Sequence, residues 1–224
     1  MQRTPRSEFD RDLRSLQDEL LALGGMVEKA IAKSLDALKN RDRELAAKVI
    51  EEDDIIDRMR FALEEKCIDL IATQQPLAGD LRILVTVLHV SVELERMGDY
   101  AEGIAKISLL MGDEPPLKPL IDIPRMADRS MDMLRRSLDA FVDRDTEASH
   151  QICEDDDEVD ALYEQVYREL LTYMLSDPGA IRRATYLLWV AHDLERIADR
   201  TTNIAERVIF LVTGQLVQTG VSTY

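Results

Sequence analysis

LERMGDYAEGIA at residues 94–105 recurs as LERIADRTTNIA at residues 194–205, and the two stretches are identical at six of twelve positions. Each copy carries two carboxylates spaced four residues apart: Glu95 with Asp99, and Glu195 with Asp199. On a helix these pairs stand one turn apart on one face, where like charges are destabilising by roughly 0.2–0.5 kcal/mol. Because the arrangement recurs at corresponding positions, we predict that a cation or another partner compensates the negative charge of each copy.

The repeat extends beyond this signature. DDIID at residues 53–57 corresponds to DDEVD at residues 156–160. This match adds a second acidic pair to each half: Asp53 with Asp57, and Asp156 with Asp160. Self-similarity at a distance of about 100 residues exceeds the period of roughly 20–50 residues that is typical of solenoid repeats. The pattern therefore indicates a duplicated domain.

Composition and periodicity predict an all-α fold. Only 5% of the 224 residues are aromatic, and apolar residues recur at steps of three and four nearly throughout. The apolar pattern is interrupted near Asn40, near Pro76 and at residues 111–124, which contain four prolines. These breaks separate the first three helices from one another and from the second half. Because long helices with short connections pack antiparallel, we predict six helices in two pseudo-symmetric three-helix bundles. The predicted division is a first bundle at 1–112, a proline-rich linker at 113–124 and a second bundle at 125–224.

The net charge of −16 limits the classes of partner. It repels phosphodiester backbones and anionic lipids, so we expect no nucleic-acid binding. The longest apolar stretch, residues 83–92, is too short to span a bilayer, so we expect no membrane insertion. The N-terminal sequence lacks the apolar segment of a secretory signal, and the two cysteines form no CxxC motif. These features predict a cytoplasmic protein.

The four acidic pairs border the apolar stripes of their predicted helices. Since the second and third helices are antiparallel, Asp57 and Glu95 are expected at similar height, which places up to four carboxylates on one patch per half. Oxygen-only ligand sets suit Mg²⁺, Mn²⁺ or Ca²⁺ and tolerate iron. The alternative is that the pairs are solvated, or paired with Arg96, Arg196 or Arg200. The repetition of the pairs at corresponding positions favours metal binding.

The sequence offers no catalytic constellation. Di-iron oxidases of the ferritin-like kind need two Glu-x-x-His units, but only Glu147 with His150 matches, and the counterpart of His150 is Ala47. His192 lies one turn before Glu195 and is interpreted as a border histidine, with a role as a metal ligand as the alternative. Gly-rich phosphate loops and nucleophile elbows are absent from the sequence. We therefore expect a protein that is not an enzyme.

Two longer stretches resemble the PhoU family of bacterial phosphate-transport accessory and regulatory proteins: PLAGDLRILVTVLHVSVELERMGDYAEGIAK (76–106) and ATYLLWVAHDLERIADRTTNIAERVIF (184–210). DDIID and DDEVD match the family's other acidic motif. The resemblance implies two similar three-helix bundles with multinuclear surface sites for Mg, Mn, Fe or Zn ions. The ligands that it implies are Asp53, Asp57, Glu95 and Asp99 in the first half, and Asp156, Asp160, Glu195, Asp199 and Asn203 in the second. Gly103 stands at the position of Asn203 in the first half, which predicts a weaker first site or one that uses Glu102.

The resemblance also implies a function. Members of the family are cytoplasmic and often homodimeric. They act as negative regulators of the phosphate-starvation response, linking the ATPase of a phosphate ABC transporter to a sensor histidine kinase. We therefore expect a metal-binding negative regulator of phosphate uptake and of the associated signal transduction. Two alternatives stay open: a carboxylate-bridged metal enzyme or metal store, and a metal-free helical adaptor.

Overall fold

A computed structural model describes residues 5–112 and 114–217. These residues form six long α-helices joined by short turns and one linker, and they contain no β-strand. The helices are α1 (Pro5–Asn40), α2 (Arg43–Gln74), α3 (Ala78–Met111), α4 (Asp122–Asp143), α5 (Thr146–Ser176) and α6 (Ile181–Thr213). A short 3-10 turn at Pro178–Ala180 leads into α6. The predicted all-α fold with six helices is confirmed.

The two halves use the same turn chemistry between their first and second helices. Asp42 caps α2 and Asp145 caps α5, and each carboxylate accepts a backbone hydrogen bond, of 2.9 and 3.0 Å respectively. The preceding residues, Arg41 and Arg144, both have φ of 55°, the left-handed conformation that ends many helices. The duplication seen in the sequence therefore includes the turns.

The linker ends earlier than expected. α4 begins at Asp122, before the predicted start at residue 125, and it includes Pro124 in its first turn. Proline is tolerated there because the first backbone N–H groups of a helix have no acceptor within the helix. Lys118 of the linker is buried and pairs with Glu169 of α5. This ion pair holds the linker against the second half.

The helices α1–α3 form one bundle and α4–α6 form the other, and one hydrophobic core runs through both. Leu94 of α3 and Leu194 of α6 are fully buried within it. α3 and α6 lie antiparallel across the boundary between the halves. Asn203 of α6 is opposite Glu93 of α3, whereas Asp193 of α6 is opposite Gly103 of α3. This pairing defines a pseudo-twofold axis between α3 and α6, close to the middle of the doubled signature.

Gly24 of α1 marks a close contact with α4. A Cβ atom at Gly24 would overlap Leu138 Cδ1, whereas one at Gly25 would meet nothing within 4 Å. Glycine inside a helix is less stable than alanine by roughly 0.5–1 kcal/mol, so Gly25→Ala is expected to raise the free energy of unfolding by that amount. Gly24→Ala is expected to be less stable than Gly25→Ala by about 1 kcal/mol or more, because the new methyl group must displace Leu138. Urea titrations of the two variants measure the difference, and equal stabilisation would contradict the close contact.

Candidate metal sites

Three carboxylates from two helices meet in the first half. Asp53 and Asp57 of α2 and Asp99 of α3 each contribute an oxygen, and these oxygens lie within 4.8 Å of one another. Asp53 and Asp57 are half-buried and Asp99 is exposed, so the group opens to solvent. We call these three residues together with Glu95 the first acidic cluster. Carboxylate oxygens at this spacing can bind one hard cation or share several.

Gly98 permits the close approach of α2 and α3 at this cluster. A Cβ atom at Gly98 would lie 3.2 Å from Asp53 Oδ1 and 3.2 Å from Ile56 Cδ1. Both distances are shorter than an ordinary van der Waals contact. The corresponding residue in the second half is Ala198. The missing side chain therefore brings Asp53 close to the face of α3 that carries Asp99.

Simultaneous ionisation of the carboxyl groups in the first acidic cluster is unfavourable, as their raised pKa values indicate. Burial, followed by the charges of Glu102 and Asp57, raises the pKa of Asp53 to about 7. Burial and then neighbouring carboxylates also raise the pKa values of Glu95 and Asp99. In addition, Oδ1 of Asp57 is buried without a hydrogen-bond partner. A bound divalent cation would relieve both problems, by neutralising the charge and by ligating the unpaired oxygen.

Glu102, the predicted alternative ligand of the first site, lies close enough to affect the cluster. Its charge is the first neighbouring charge that raises the pKa of Asp53. Its carboxylate is also paired with Lys106 at 2.5 Å. Glu102 is therefore already partly neutralised by a cation of its own helix.

Four carboxylates also lie near one another in the second half, between α5 and α6, although among the described residues only Asp53, Asp57 and Asp99 offer three oxygens within 4.8 Å of one another. We call Asp156, Asp160, Glu195 and Asp199 the second acidic cluster. Burial, followed by the charges of the other three, raises the pKa of Asp156 to about 7. Burial, followed by the charge of Asp199, raises the pKa of Glu195 to about 7. Glu195 is only 7% exposed, and one oxygen each of Asp156 and Glu195 is buried without a hydrogen-bond partner.

An arginine distinguishes the two clusters. Arg196 Nη1 lies 2.8 Å from Asp199 Oδ2, and Arg196 Nε lies 3.2 Å from Glu195 Oε2. The second contact is an ionic attraction only, since its geometry does not form a hydrogen bond with Oε2. Arg96, the corresponding residue of the first half, is exposed. The pairing with arginine that the sequence left open is thus present at the second cluster.

A histidine stands beside the second acidic cluster. His192 Nδ1 lies 3.8 Å from Glu195 Oε2, and the imidazole centroid lies 6.3 Å from that of Tyr163. Burial, followed by the charge of Arg196, lowers the pKa of His192. This shift favours the neutral imidazole, which is the form that binds metals. The corresponding residue in the first half is Val92.

Asn203 and Gly103 lie at the interface of α3 and α6. Asn203 Nδ2 donates a hydrogen bond of 3.1 Å to Glu93 Oε2, and a Cβ atom at Gly103 would lie 3.1 Å from Asp193 Oδ2. The role of Asn203 as a metal ligand stays a prediction. Sequence reasoning missed the interface acids Glu93 and Asp193, although the spacing of 100 residues between them is that of the doubled signature.

Comparison with known proteins identifies the family. The PhoU domain model matches residues 20–108 and again residues 123–208. This chain belongs to the PhoU family. The two matches lie on either side of the linker, while the domain limits drawn from the sequence stay a prediction. The resemblance seen in the sequence is confirmed.

Named PhoU relatives match over nearly their full length. The phosphate-specific transport system accessory protein PhoU homolog of Clostridium acetobutylicum is 41% identical over 213 residues, which cover 95% of this chain and 97% of the relative. The homolog of the same name from Aquifex aeolicus is 41% identical over 208 residues, covering 93% and 94%. These names describe accessory proteins of phosphate transport.

Crystal structures of PhoU proteins share the fold. The structure of PhoU from Pseudomonas aeruginosa has a TM-score of 0.88 at 35% identity and covers 92% of this chain and 100% of that chain. The phosphate transport system regulatory protein PhoU from Streptococcus pneumoniae has a TM-score of 0.88 at 33% identity, covering 94% and 99%. The predicted fold of two PhoU-like bundles is therefore confirmed. Across residues 5–112 and 114–217, none of the helices combines the length and apolar character that a bilayer crossing requires.

Proposed function

We propose that this PhoU-family chain is a negative regulator of phosphate uptake and of the phosphate-starvation response. It acts by binding, as a cytoplasmic homodimer, and it is not an enzyme. The observation that carries the proposal is the match of both halves to the PhoU domain, together with full-length relatives named as phosphate-transport accessory proteins. Its partners are the ATPase of a phosphate ABC transporter and a sensor histidine kinase. The net charge of −16 supports docking on basic partner surfaces.

The proposed regulator binds divalent or iron cations at both acidic clusters. The residues fit such ions: each cluster joins carboxylates from two helices and contains a buried oxygen without a hydrogen-bond partner. In the first cluster Asp53, Asp57, Glu95 and Asp99 would hold the ions, and in the second Asp156, Asp160, Glu195 and Asp199 would do so. A bound cation would supply the positive charge that the carboxylates lack.

Cation binding at each cluster would couple two helices, because the acidic residues of each cluster lie on two helices. Asp57 lies on α2 and Asp99 on α3, so ligation of both couples the two helices of one bundle. Asp160 on α5 and Asp199 on α6 make the same connection in the other bundle. Since α3 and α6 also form the interface between the halves, the state of the clusters can influence how the two bundles pack against each other.

Deletion of the gene tests the regulatory role. Phosphate-scavenging genes are expected to be expressed constitutively in phosphate-rich medium, and the intact gene is expected to restore repression. Normal repression in the deletion strain would overturn the proposal.

The contribution of the metal is tested by complementation with the triple variant Asp53→Asn, Asp57→Asn, Asp99→Asn. Asp54→Asn is the matched control, because Asp54 is an exposed residue of the same DDIID segment. We expect the triple variant to carry less metal after purification without chelator and to repress less well than Asp54→Asn. A wild-type protein without bound ions, and equal repression by both variants, would instead indicate a metal-free adaptor.

A further inference from the structure

Aromatic side chains gather on the solvent-facing surface of α5 and α6. Trp189 is 48% exposed, and its ring centroid lies 5.8 Å from that of Tyr186. On α5, Tyr167 is 38% exposed and follows Tyr163 by one helical turn. His192, one turn after Trp189, lies 6.3 Å from Tyr163 between ring centroids and links the two helices. We call Tyr163, Tyr167, Tyr186 and Trp189 the aromatic patch. The chain has six tyrosines and one tryptophan, and four of these seven residues form the patch.

The first half has no tyrosine or tryptophan at the four corresponding positions. The residues there are Arg60, Glu64, Thr86 and His89. The first two form an ion pair, with Arg60 Nη1 2.7 Å from Glu64 Oε2. Because the two halves share their helices and their helix caps, the fold does not require aromatic side chains at this place. Exposed tyrosine and tryptophan are typical of the residues that dominate binding in protein interfaces.

The aromatic patch lies in a negatively charged environment. Burial, followed by the charges of Glu195 and Glu164, raises the pKa of Tyr163, whereas Arg196 lowers it by a smaller amount. Asp193 stands one helical turn beyond the tryptophan of the patch. Burial is the only cause that raises its pKa to about 7, so none of the described cations offsets its charge. Glu164 and Asp193 lie outside the second acidic cluster, so ions bound there would leave both carboxylates in place.

Exposed aromatic rings beside carboxylates suit arginine side chains. A guanidinium stacks on aromatic faces and forms paired hydrogen bonds with carboxylates. A second copy of this chain suits the patch poorly, because each copy carries a net charge of −16 and the contact would bring two negative surfaces together. The proposed homodimer would therefore use another face. Anionic lipids and nucleic acids are repelled for the same reason.

We propose that the aromatic patch is the docking surface for an arginine-bearing segment of a protein partner. Apolar side chains of the segment cover Trp189 and Tyr167, and its guanidinium groups reach the carboxylates beside them. The inference rests on the proposed function, because it names the surface through which the regulator meets the transporter ATPase or the kinase. It predicts that the two halves differ in partner binding although they share a fold.

The test variant transfers residues of the first half to the second: Tyr163→Arg, Tyr167→Glu, Trp189→His. The introduced arginine and glutamate are expected to pair as Arg60 and Glu64 do, so the fold is retained, which thermal melting followed by circular dichroism checks. Their charges cancel, so the net charge stays at −16 and a change in affinity cannot come from the overall charge.

Phe61→Ala is the matched control, because Phe61 is an exposed aromatic residue of α2 outside the patch. Each full-length protein is titrated calorimetrically with the purified ATPase and, separately, with the cytoplasmic part of the kinase. We expect the wild type and Phe61→Ala to bind with equal affinity. The triple variant of the patch is expected to bind at least about tenfold more weakly.

The fluorescence of Trp189 reports on the patch directly, because it is the only tryptophan of the chain. Overlapping peptides of the partner that binds, with any tryptophan replaced by phenylalanine, are added to the wild type. We expect a blue shift with peptides that contain arginine beside apolar residues, and no shift once glutamate replaces the arginines. A blue shift caused by concentrating the protein alone would make a second copy the occupant and overturn the proposal.

The remaining outcomes separate the inference from the proposed function. Equal affinity of the wild type and the triple variant for a partner would overturn the docking surface and leave the regulator intact. The same holds if a partner binds but none of its peptides changes the emission of Trp189. If neither partner binds the wild type, the proposed function fails together with the inference.

Discussion

Chelator-treated protein is expected to be more stable at pH 5 than at pH 8 by about 2–4 kcal/mol. Burial is the largest cause that raises the pKa to about 7 in each of four carboxyl groups. These groups are Asp53, Asp156, Asp193 and Glu195. This difference in the free energy of unfolding is far smaller than four full pKa shifts would give, because most of the groups are partly exposed and neighbouring groups share protons.

The sign of this pH dependence follows from the number of protons that the folded and unfolded states bind. Unfolded Asp and Glu side chains titrate near pH 4, whereas these four groups in the folded protein titrate near pH 7. Between these values the folded protein binds more protons than the unfolded chain, so the free energy of unfolding falls as the pH rises. The stability that the protonated groups provide is fully present below about pH 4 and is lost as the pH passes through about 7.

Urea titrations at pH 5, 6, 7 and 8 measure this effect. The triple variant Asp53→Asn, Asp57→Asn, Asp99→Asn should show a smaller loss of stability, because amides do not ionise, while Asp54→Asn should behave as the wild type. Saturating Mn²⁺ at pH 8 should recover much of the lost free energy, since the ion binds only the folded protein. Equal free energies of unfolding at pH 5 and pH 8 would show that other groups of the chain already neutralise the negative charge of the clustered carboxylates.

Local patterns were enough to predict the fold and the position of the acidic pairs. Helical periodicity and the i, i+4 spacing are properties of a single helix, so Glu95 and Asp99 could be assigned to one border before their neighbours were known. The duplication extended the assignment to Glu195 and Asp199. The start of α4 at Asp122 differs from the prediction, because the four prolines of residues 111–124 indicate a non-helical linker, whereas the first turn of a helix accommodates Pro124.

The contacts between the halves could not be predicted in the same way. Whether Asn203 faces a metal cluster or Glu93 depends on the rotation of α6 relative to α3, and no local pattern determines that rotation. The same holds for Arg196, which could equally extend into solvent as Arg96 does. The sequence supplied the charged residues, whereas the packing of the two halves determined which of them meet.

Glu93→Ala is expected to lower the free energy of unfolding by about 2 kcal/mol, because its carboxylate joins the two halves. Glu93 Oε2 accepts hydrogen bonds from Arg200 at 3.3 Å and from Asn203 at 3.1 Å. The side chains of Glu93 and Arg200 are 18% and 19% exposed. Truncation therefore leaves the Asn203 amide without this acceptor, and it leaves a largely buried guanidinium that keeps its hydrogen bond to Tyr100 but loses its carboxylate. The expected loss is smaller than the roughly 3–5 kcal/mol typical of a fully buried pair, since water can partly replace the carboxylate.

Asp193→Asn is the matched variant, because Asp193 occupies the corresponding position of α6 and faces Gly103 instead of an asparagine. Burial alone raises the pKa of Asp193 to about 7, so its ionised form destabilises the folded protein at pH 8. The amide should therefore stabilise the protein by about 1 kcal/mol at pH 8 and have little effect at pH 5, where the wild-type carboxyl is already protonated. Glu93→Ala should destabilise at both values of pH. If both substitutions lowered the free energy of unfolding equally, the two sides of the α3–α6 interface would be energetically equivalent, and the hydrogen bonds of Glu93 would not be what distinguishes them.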